Sequence, residues 1–409
     1  MEPALHVRRN TVLLAAVMAV NSAVLQLVAA VSSLTFVLVT GFEALLGLGP
    51  AIFLTASALT ALPAGRMMDR VGRVPVIAAG FSLGTLGCLL TALGTRTDSA
   101  PAVIAGIALV GSSGAVALLV RTAAGDMYPP ERRARGISFV LFGAVFGAIL
   151  GPAVFGPLFA GKELEADALT VPWLAAALLS VVALVLALLV RPDPKRIGEL
   201  ISGSGPTERA TTSLAQIVRR PGVIPALLAG FVSLGVMASL MNLTGYVVVD
   251  HQHHDQSDVF PIIGAHVLGM YALILVVGAL VDRIGRTPSL AGGLVVMAAS
   301  CAGLVWAESV IATAILLFGL GLGWNISFVA ATAQLADLTS PAERGKLLGL
   351  NDLCAALFAA SLALLGGIAL ESIGVASLAL GGLVISLLPL LLILRPSFRG
   401  PAAAPRSYP

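Results

Sequence analysis

Two stretches of this chain nearly repeat each other: GRMMDRVGRVP, Gly65 to Pro75, and GALVDRIGRTP, Gly278 to Pro288. Each sets one carboxylate, Asp69 or Asp282, among arginines: Arg70 and Arg73 in the first copy, Arg283 and Arg286 in the second. Arginine with carboxylate makes charge-assisted, often bidentate hydrogen bonds. Asp126 and Asp337 offer the arginines further partners. A carboxylate here can also accept backbone N–H groups at a nearby helix N-terminus, where negative charge gains about 0.3–1 kcal/mol. Gly72 and Gly285 permit a tight reversal, and Pro75 and Pro288 suit the first turn of the next helix. Such a set can latch and release a moving joint, or simply anchor the chain at a membrane face.

The remaining chemistry is sparse and embedded in apolar runs. Asp352 stands about two turns into one run, and His266 is the only histidine inside one. Either could exchange protons with a solute path. The alternatives are helix-start capping for Asp352 and hydrogen-bonded packing for His266. Ser22, Gln26 and Ser33 share one helix face, and Ser239, Asn242 and Tyr246 share another, with Asp250 continuing it outward. With Trp324, Asn325 and Gln334 they are candidates to line a cavity, or they make interhelical hydrogen bonds. The stretch DHQHHDQSD, Asp250 to Asp258, reads as a solvated loop or a weak entrance filter, and no metal site is assigned to it. Cys88, Cys301 and Cys354 lie in apolar runs and read as small core residues. The spans hold no Ser/His, HExxH or paired-Asp constellation, and no glycine-rich run ends in G-K-[ST]. The expectation is therefore no enzyme, no cofactor and no ATP-driven step. No basic stripe exists for nucleic acid.

These residues need a membrane to position them. The chain has 409 residues, 58% of them hydrophobic and 11% charged, against about 25% charged in soluble domains. Its mean hydropathy is +0.99. Twelve spans are expected, near 12–38, 44–64, 75–95, 102–125, 137–160, 172–190, 222–248, 260–281, 288–306, 309–334, 346–370 and 373–394. The first run is too long for a signal-peptide core. The stretch 191–221, rich in Pro, Gly, Ser and charge, reads as a linker whose TTSLAQIVRR end could form a short surface helix. With the N-terminus inside, 22 of the 24 Lys and Arg residues fall on the cytoplasmic face, leaving only Arg96 and Lys162 outside. That predicts an integral plasma (inner) membrane protein with both termini cytoplasmic.

Both charged repeats then lie on one face, after the second span of each half. DMYPPERRARG, Asp126 to Gly136, after span four is echoed by DLTSPAERGKLLG, Asp337 to Gly349, after span ten. The expected fold is an all-α membrane protein of twelve transmembrane helices in two pseudo-symmetric six-helix bundles. The bundles cover 1–190 and 222–395, joined by linker 191–221 and followed by a tail, 396–409.

At these residues the chain resembles the major facilitator superfamily, whose loop signature G-x-x-x-D-R-x-G-R stands here twice, as Gly65, Asp69, Arg70, Gly72, Arg73 and as Gly278, Asp282, Arg283, Gly285, Arg286. PPERR after span four resembles the signature's usual companion. GAVFGAILGP, Gly143 to Pro152, resembles the helix-5 element of drug–proton antiporters, with Gly147, Gly151 and Pro152 in place, but Ser138 and Phe155 where glycine is usual. HVLGMYAL, GLGWNISFV and ERGKLLGLND are similar to a bacterial efflux-type branch. The R-x-x-x-G element of helix 4 aligns with Ile107 and Gly111, so the usual buried arginine is absent. The resemblance implies that the first signature latches the two halves against the start of helix 11, and that helices 1 and 7 line a central cavity. It implies a monomeric secondary transporter using alternating access. The expected activity is proton-linked export of small lipophilic or amphipathic compounds. Import of a small neutral metabolite or nutrient is the second reading, and a non-transporting membrane receptor the third.

Overall fold

The computed structural model describes the backbone of residues 2–42, 46–128, 133–159, 165–202, 213–339 and 341–393. Side chains are described for these except 2–6, Asp69, 133–135, Glu199, Ser202, Ala336 and 341–346. The tail 396–409 and the middle of the linker therefore lie outside the described residues.

Every described element is helical. The first bundle holds α1 (Glu2–Thr40), α2 (Leu48–Val71), α3 (Arg73–Arg96), α4 (Ala100–Leu118), α5 (Val120–Asp126), α6 (Arg133–Phe159) and α7 (Thr170–Leu188). Two short helices follow, α8 (Pro194–Ser202) and α9 (Leu214–Val218). The second bundle holds α10 (Val223–Tyr246), α11 (Gln256–Tyr271), α12 (Ile274–Ile284), α13 (Arg286–Leu304), α14 (Val310–Asp337), α15 (Pro341–Ile373) and α16 (Val375–Ile393). Among the described residues, eleven spans are long and apolar enough to cross a membrane, and α11 with α12, bent by 43°, makes a twelfth when taken as one span. Large apolar side chains such as Leu178, Ile315 and Leu391 point outward, as an apolar solvent requires.

The reversals sit where the charged repeats predict. Gly72 (φ 109°) is the single residue between α2 and α3, and Gly285 (φ 99°) the single residue between α12 and α13. A side chain resists that φ, so each turn depends on glycine.

Three departures from the expected spans matter. The fourth breaks at Leu119, between α4 and α5, and the eighth breaks at Ala272–Leu273, between α11 and α12. Neither break carries proline or glycine, so periodicity cannot reveal it. The seventh runs past Tyr246 into a π turn, Val247–His251. The expected linker is also partly structured. Ser213 and Gln216 form a reciprocal capping box that starts α9, and Ile217 is fully buried against Val223, Leu335 and Leu347.

The bundles meet along three seams: α1 with α10, α2 with α15, and α6 with α11. Each has a close backbone approach toward the end opposite the signature loops, at Gly245 on Ala30, Gly47 on Ala363 and Gly264 on Ala148. There, a Cβ on Gly264 would stand 2.9 Å from the Ala148 carbonyl oxygen and 3.3 Å from Pro152. Phe260 stacks on Phe155 with ring centroids 5.8 Å apart, and Gly245 presses on the Ala30 backbone. Toward the signature loops the bundles part, and α12 barely touches α6.

Candidate functional site

The signature loops come first because their chemistry is densest. Arg73, largely buried at the start of α3, donates from Nε to Asp126 Oδ2 at 2.7 Å. The exposed backbone N–H groups of α3 are met from an unexpected place. Asp193, at the head of α8, accepts from Arg73 N at 3.1 Å and Val74 N at 2.9 Å, and from Lys195 N at 2.8 Å. One carboxylate thus caps α3 and α8 together. Sequence reading left Asp193 unmarked inside a linker; its D-P pair ahead of a short amphipathic stretch was the available signal. The side chain of Asp69, and with it the latch onto the start of helix 11, lies outside the described residues.

The second signature is built differently. Arg286 pairs with Asp282 one turn earlier on the chain, and reaches Asp337 Oδ2 at 3.1 Å. Asp282 therefore serves an arginine, and no described side chain caps the start of α13. The i, i+4 spacing explains this, since it brings both side chains to one face. Arg70 and Arg283 are exposed, and Gly65 and Gly278 have open space where a Cβ would stand.

Among the described residues, one ion pair joins the bundles. Arg121 Nη2 on α5 donates to Asp352 Oδ2 on α15 at 2.9 Å, with side chains 29% and 39% exposed. Asp352 is thus not a helix-start cap: its described partner is a guanidinium from the opposite bundle. From sequence alone Arg121 is one of the 22 basic residues assigned to the cytoplasmic face. It sits more than a turn inside its span, immediately after the break at Leu119. The second bundle gathers its own aromatic side chains in one cluster. Trp324 stacks on Phe328 (5.0 Å, 21°) and meets Tyr271 edge-on (6.1 Å, 73°), and Phe231 meets Phe358 edge-on at 5.3 Å. Tyr271 stands at the end of α11, beside the other break, and within electrostatic range of Arg121. Trp324 Nε1 and Asn325 Nδ2 are buried with no described partner.

The other polar candidates sit at helix contacts, most of them within one bundle. Gln26 Nε2 donates to the Gly147 carbonyl at 2.5 Å, and Ser22 lies against Gly147. Ser33 Oγ donates to the Asn242 carbonyl at 3.3 Å, tying α1 to α10. Ser239 faces Gly366 of α15, and Tyr246 donates its hydroxyl to Glu371 at 2.8 Å. In this conformation these residues join helices. His266 is fully buried within the second bundle; its Nδ1 lies 2.7 Å from the Leu317 carbonyl, and Nε2 has no described partner. Nothing described links it to Asp352. In the stretch Asp250 to Asp258, His254 Nε2 meets the Glu308 carbonyl at 2.8 Å. No group of three or more metal-ligating side chains gathers among the described residues. Each bundle also encloses a small cavity, one beside Asn21, Ser113 and Ser180, the other beside Thr244, Gln252 and Thr313. Each belongs to one bundle, away from the cross-bundle pair.

The family model described as Major Facilitator Superfamily matches residues 11–265 and again 253–408. An uncharacterized MFS-type transporter of Bacillus subtilis, YdeG, is 32% identical over 356 residues, covering 85% of this chain and 82% of that one. The riboflavin transporter RfnT of Brucella anthropi is 31% identical over 379 residues, covering 88% and 91%. Among solved structures, the xylose transporter XylE of E. coli, in a partially occluded inward open conformation, superimposes with a TM-score of 0.74 at 14% identity. That match covers 97% of this chain and 100% of the other. With the repeated signature, the twelve-span architecture and these matches in hand, the chain belongs to the major facilitator superfamily and is an integral, multi-pass membrane transporter.

Proposed function

We propose that this chain is a proton-linked exporter of small lipophilic or amphipathic organic compounds, working as a monomer by alternating access in the plasma (inner) membrane with both termini cytoplasmic. Its lobes are residues 1–190 and 222–395, joined by the linker 191–221. The observation that carries the reading is the Arg121–Asp352 pair. It bridges the lobes at the end where they otherwise part, while the opposite end is packed shut. Such a pair must break when the lobes separate and can reform when they close. A proton on Asp352 removes the attraction, which ties lobe movement to a proton. The aromatic cluster of the second lobe suits an organic body with few charges. A relative named for riboflavin supports an organic solute over an inorganic ion. The helix-5 element supports export: Gly147 and Gly151 seat α6 against α1 inside the sealed half.

The test compares accumulation of a compound panel in cells with and without the gene, before and after a proton uncoupler. Export predicts lower accumulation with the gene, and loss of that difference on uncoupling. Higher accumulation with the gene would reverse the direction, and no difference for any compound would favour a receptor. In proteoliposomes, Asp352→Asn is expected to lose gradient-driven flux yet retain counterflow exchange. Unchanged gradient-driven flux would remove Asp352 from the proton path.

A further inference from the structure

Helix α8 is strongly amphipathic, and its two sides meet different surroundings. The inner side is pinned at three points. Asp193 accepts from Arg73 N and Val74 N. Ile197 is buried in the core cluster that holds Met68 and Met127. A Cβ on Gly198 would stand 2.9 Å from the Asp126 carbonyl oxygen. The turn ahead of α8 is held from α1, where Asn10 Nδ2 donates to the Pro192 carbonyl at 3.2 Å and Arg9 Nη2 to the Leu189 carbonyl at 2.9 Å. These contacts fix which way α8 faces.

The outward side carries Leu200, 82% exposed, Ile201, 40% exposed, and Arg196, also exposed. Arg196 and Leu200 are four apart on the helix, so guanidinium and leucine stand side by side. Arg191, exposed as well, comes just before α8. Two large apolar side chains turned outward are poorly placed in water, and the neighbouring span shows what they meet instead. Val185, Leu188 and Leu189 of that span are exposed and so face lipid. Helix α8 begins at Pro194, five residues after Leu189. From Pro194 to Leu200 a helix rises only about 9 Å, which keeps Leu200 within reach of the headgroup layer. An amphipathic helix with cations beside its apolar side lies in the membrane interface, apolar side chains at the acyl boundary and cations among the headgroups. The charges choose the headgroup. Asp193 is spent on α3, and Glu199 is the only acid within α8, against Arg191, Lys195 and Arg196.

We propose that Arg191, Arg196, Leu200 and Ile201 form a docking surface for anionic phospholipid of the surrounding bilayer. Leu200 and Ile201 enter the acyl boundary, and the two arginines take headgroup phosphates, whose geometry the guanidinium fork matches. Helix α8 is then held between lipid on one side and the first turn of α3 on the other. Lipid composition thereby bears on the segment next to the reversal at Gly72, where a Cβ would stand 2.9 Å from Asp193 Oδ2.

The experiment uses the full, unlabelled chain in nanodiscs of phosphatidylcholine, with or without phosphatidylglycerol, and amide hydrogen exchange read by mass spectrometry. Phosphatidylglycerol should slow exchange in α8 about tenfold or more, at roughly fivefold per arginine, and leave α9 unchanged. Replacing both arginines, Arg191→Gln with Arg196→Gln, should erase the difference between the lipids. Leu200→Ser with Ile201→Ser should speed exchange of α8 in both, while elution matches wild type. Inorganic phosphate added to phosphatidylcholine discs should not reproduce the slowing. A second measurement locates the surface directly. In a chain whose native cysteines have been replaced, a nitroxide on Leu200→Cys should be open to oxygen and shielded from a water-soluble nickel chelate. Its depth should fall between nitroxides on Leu178→Cys in the span and Asp255→Cys in water. Exchange of α8 that ignores phosphatidylglycerol overturns the proposal, as does equal slowing of α9 or slowing that survives loss of both arginines. Slowing by free phosphate would replace the lipid with a soluble anion. Nickel access equal to that at Asp255→Cys would put the helix in water, and shielding from both reagents would mean that protein covers it; either result ends the assignment.

Discussion

At the scale of single residues, identical letters do different work. The glycines show it plainly. A Cβ at Gly147 would stand 2.5 Å from the Ala19 carbonyl oxygen, and one at Gly151 would meet the Gln26 amide at 2.6 Å. At Gly65 and Gly278 a Cβ meets open space. Gly147→Val should therefore cost about 1–3 kcal/mol through overpacking, read as a lower midpoint of thermal unfolding in detergent. Gly65→Ala should leave the midpoint where it is. Equal losses in both would mean that α1 and α6 do not meet this closely. The arginines diverge in the same way: Arg73 is largely buried on Asp126, whereas its counterpart Arg286 shares two acids at the surface.

At the scale of elements, the stretch after the sixth span is more than a tether. Its two ends are fastened to different bundles. α8 is held to the first by Asp193 and by Ile197, which packs with Met68 and Met127 in one core cluster. α9 is held to the second by Ile217, fully buried, and by Arg220, which donates to the Leu338 carbonyl at 3.1 Å. Ile217→Ala should destabilise the protein by about 2–5 kcal/mol, the usual cost of emptying an apolar site. Leu200→Ala on α8, where the side chain is 82% exposed, should be nearly silent in the same unfolding assay. A silent Ile217→Ala would detach α9 from the bundle. Composition marks this region as a linker because Pro, Gly, Ser and charge dominate it. Which of its few apolar side chains find a groove depends on the bundles beneath.

At the scale of the whole molecule, the seams are tight at one end and open at the other. In a chain whose native cysteines have been replaced, cysteines at Phe231, Phe328 and Phe358 should react with a membrane-impermeant thiol reagent added on the side of the signature loops. Cysteines at Ala30 and Leu46, buried where the lobes meet, should stay unmodified from the opposite side. Reaction of Ala30→Cys or Leu46→Cys from that side, with the phenylalanine positions protected, would mean that the resting protein opens the other way.

Much of this was legible without coordinates. A chain this apolar must satisfy its backbone within helices. The repeated Gly-x-x-x-Asp-Arg-x-Gly-Arg stretch announced both the duplication and the turns at Gly72 and Gly285, because positive φ is a local demand written in a local residue. The breaks at Leu119 and Ala272–Leu273 carry no such mark. Nor could spacing show that Asp193 would cap α3, that Asp282 would turn to Arg286, or that Arg121 would cross to Asp352. Period and composition decide which face of a helix is apolar. Which distant side chain meets that face is decided by packing between helices far apart in the chain, and only the tertiary structure contains it.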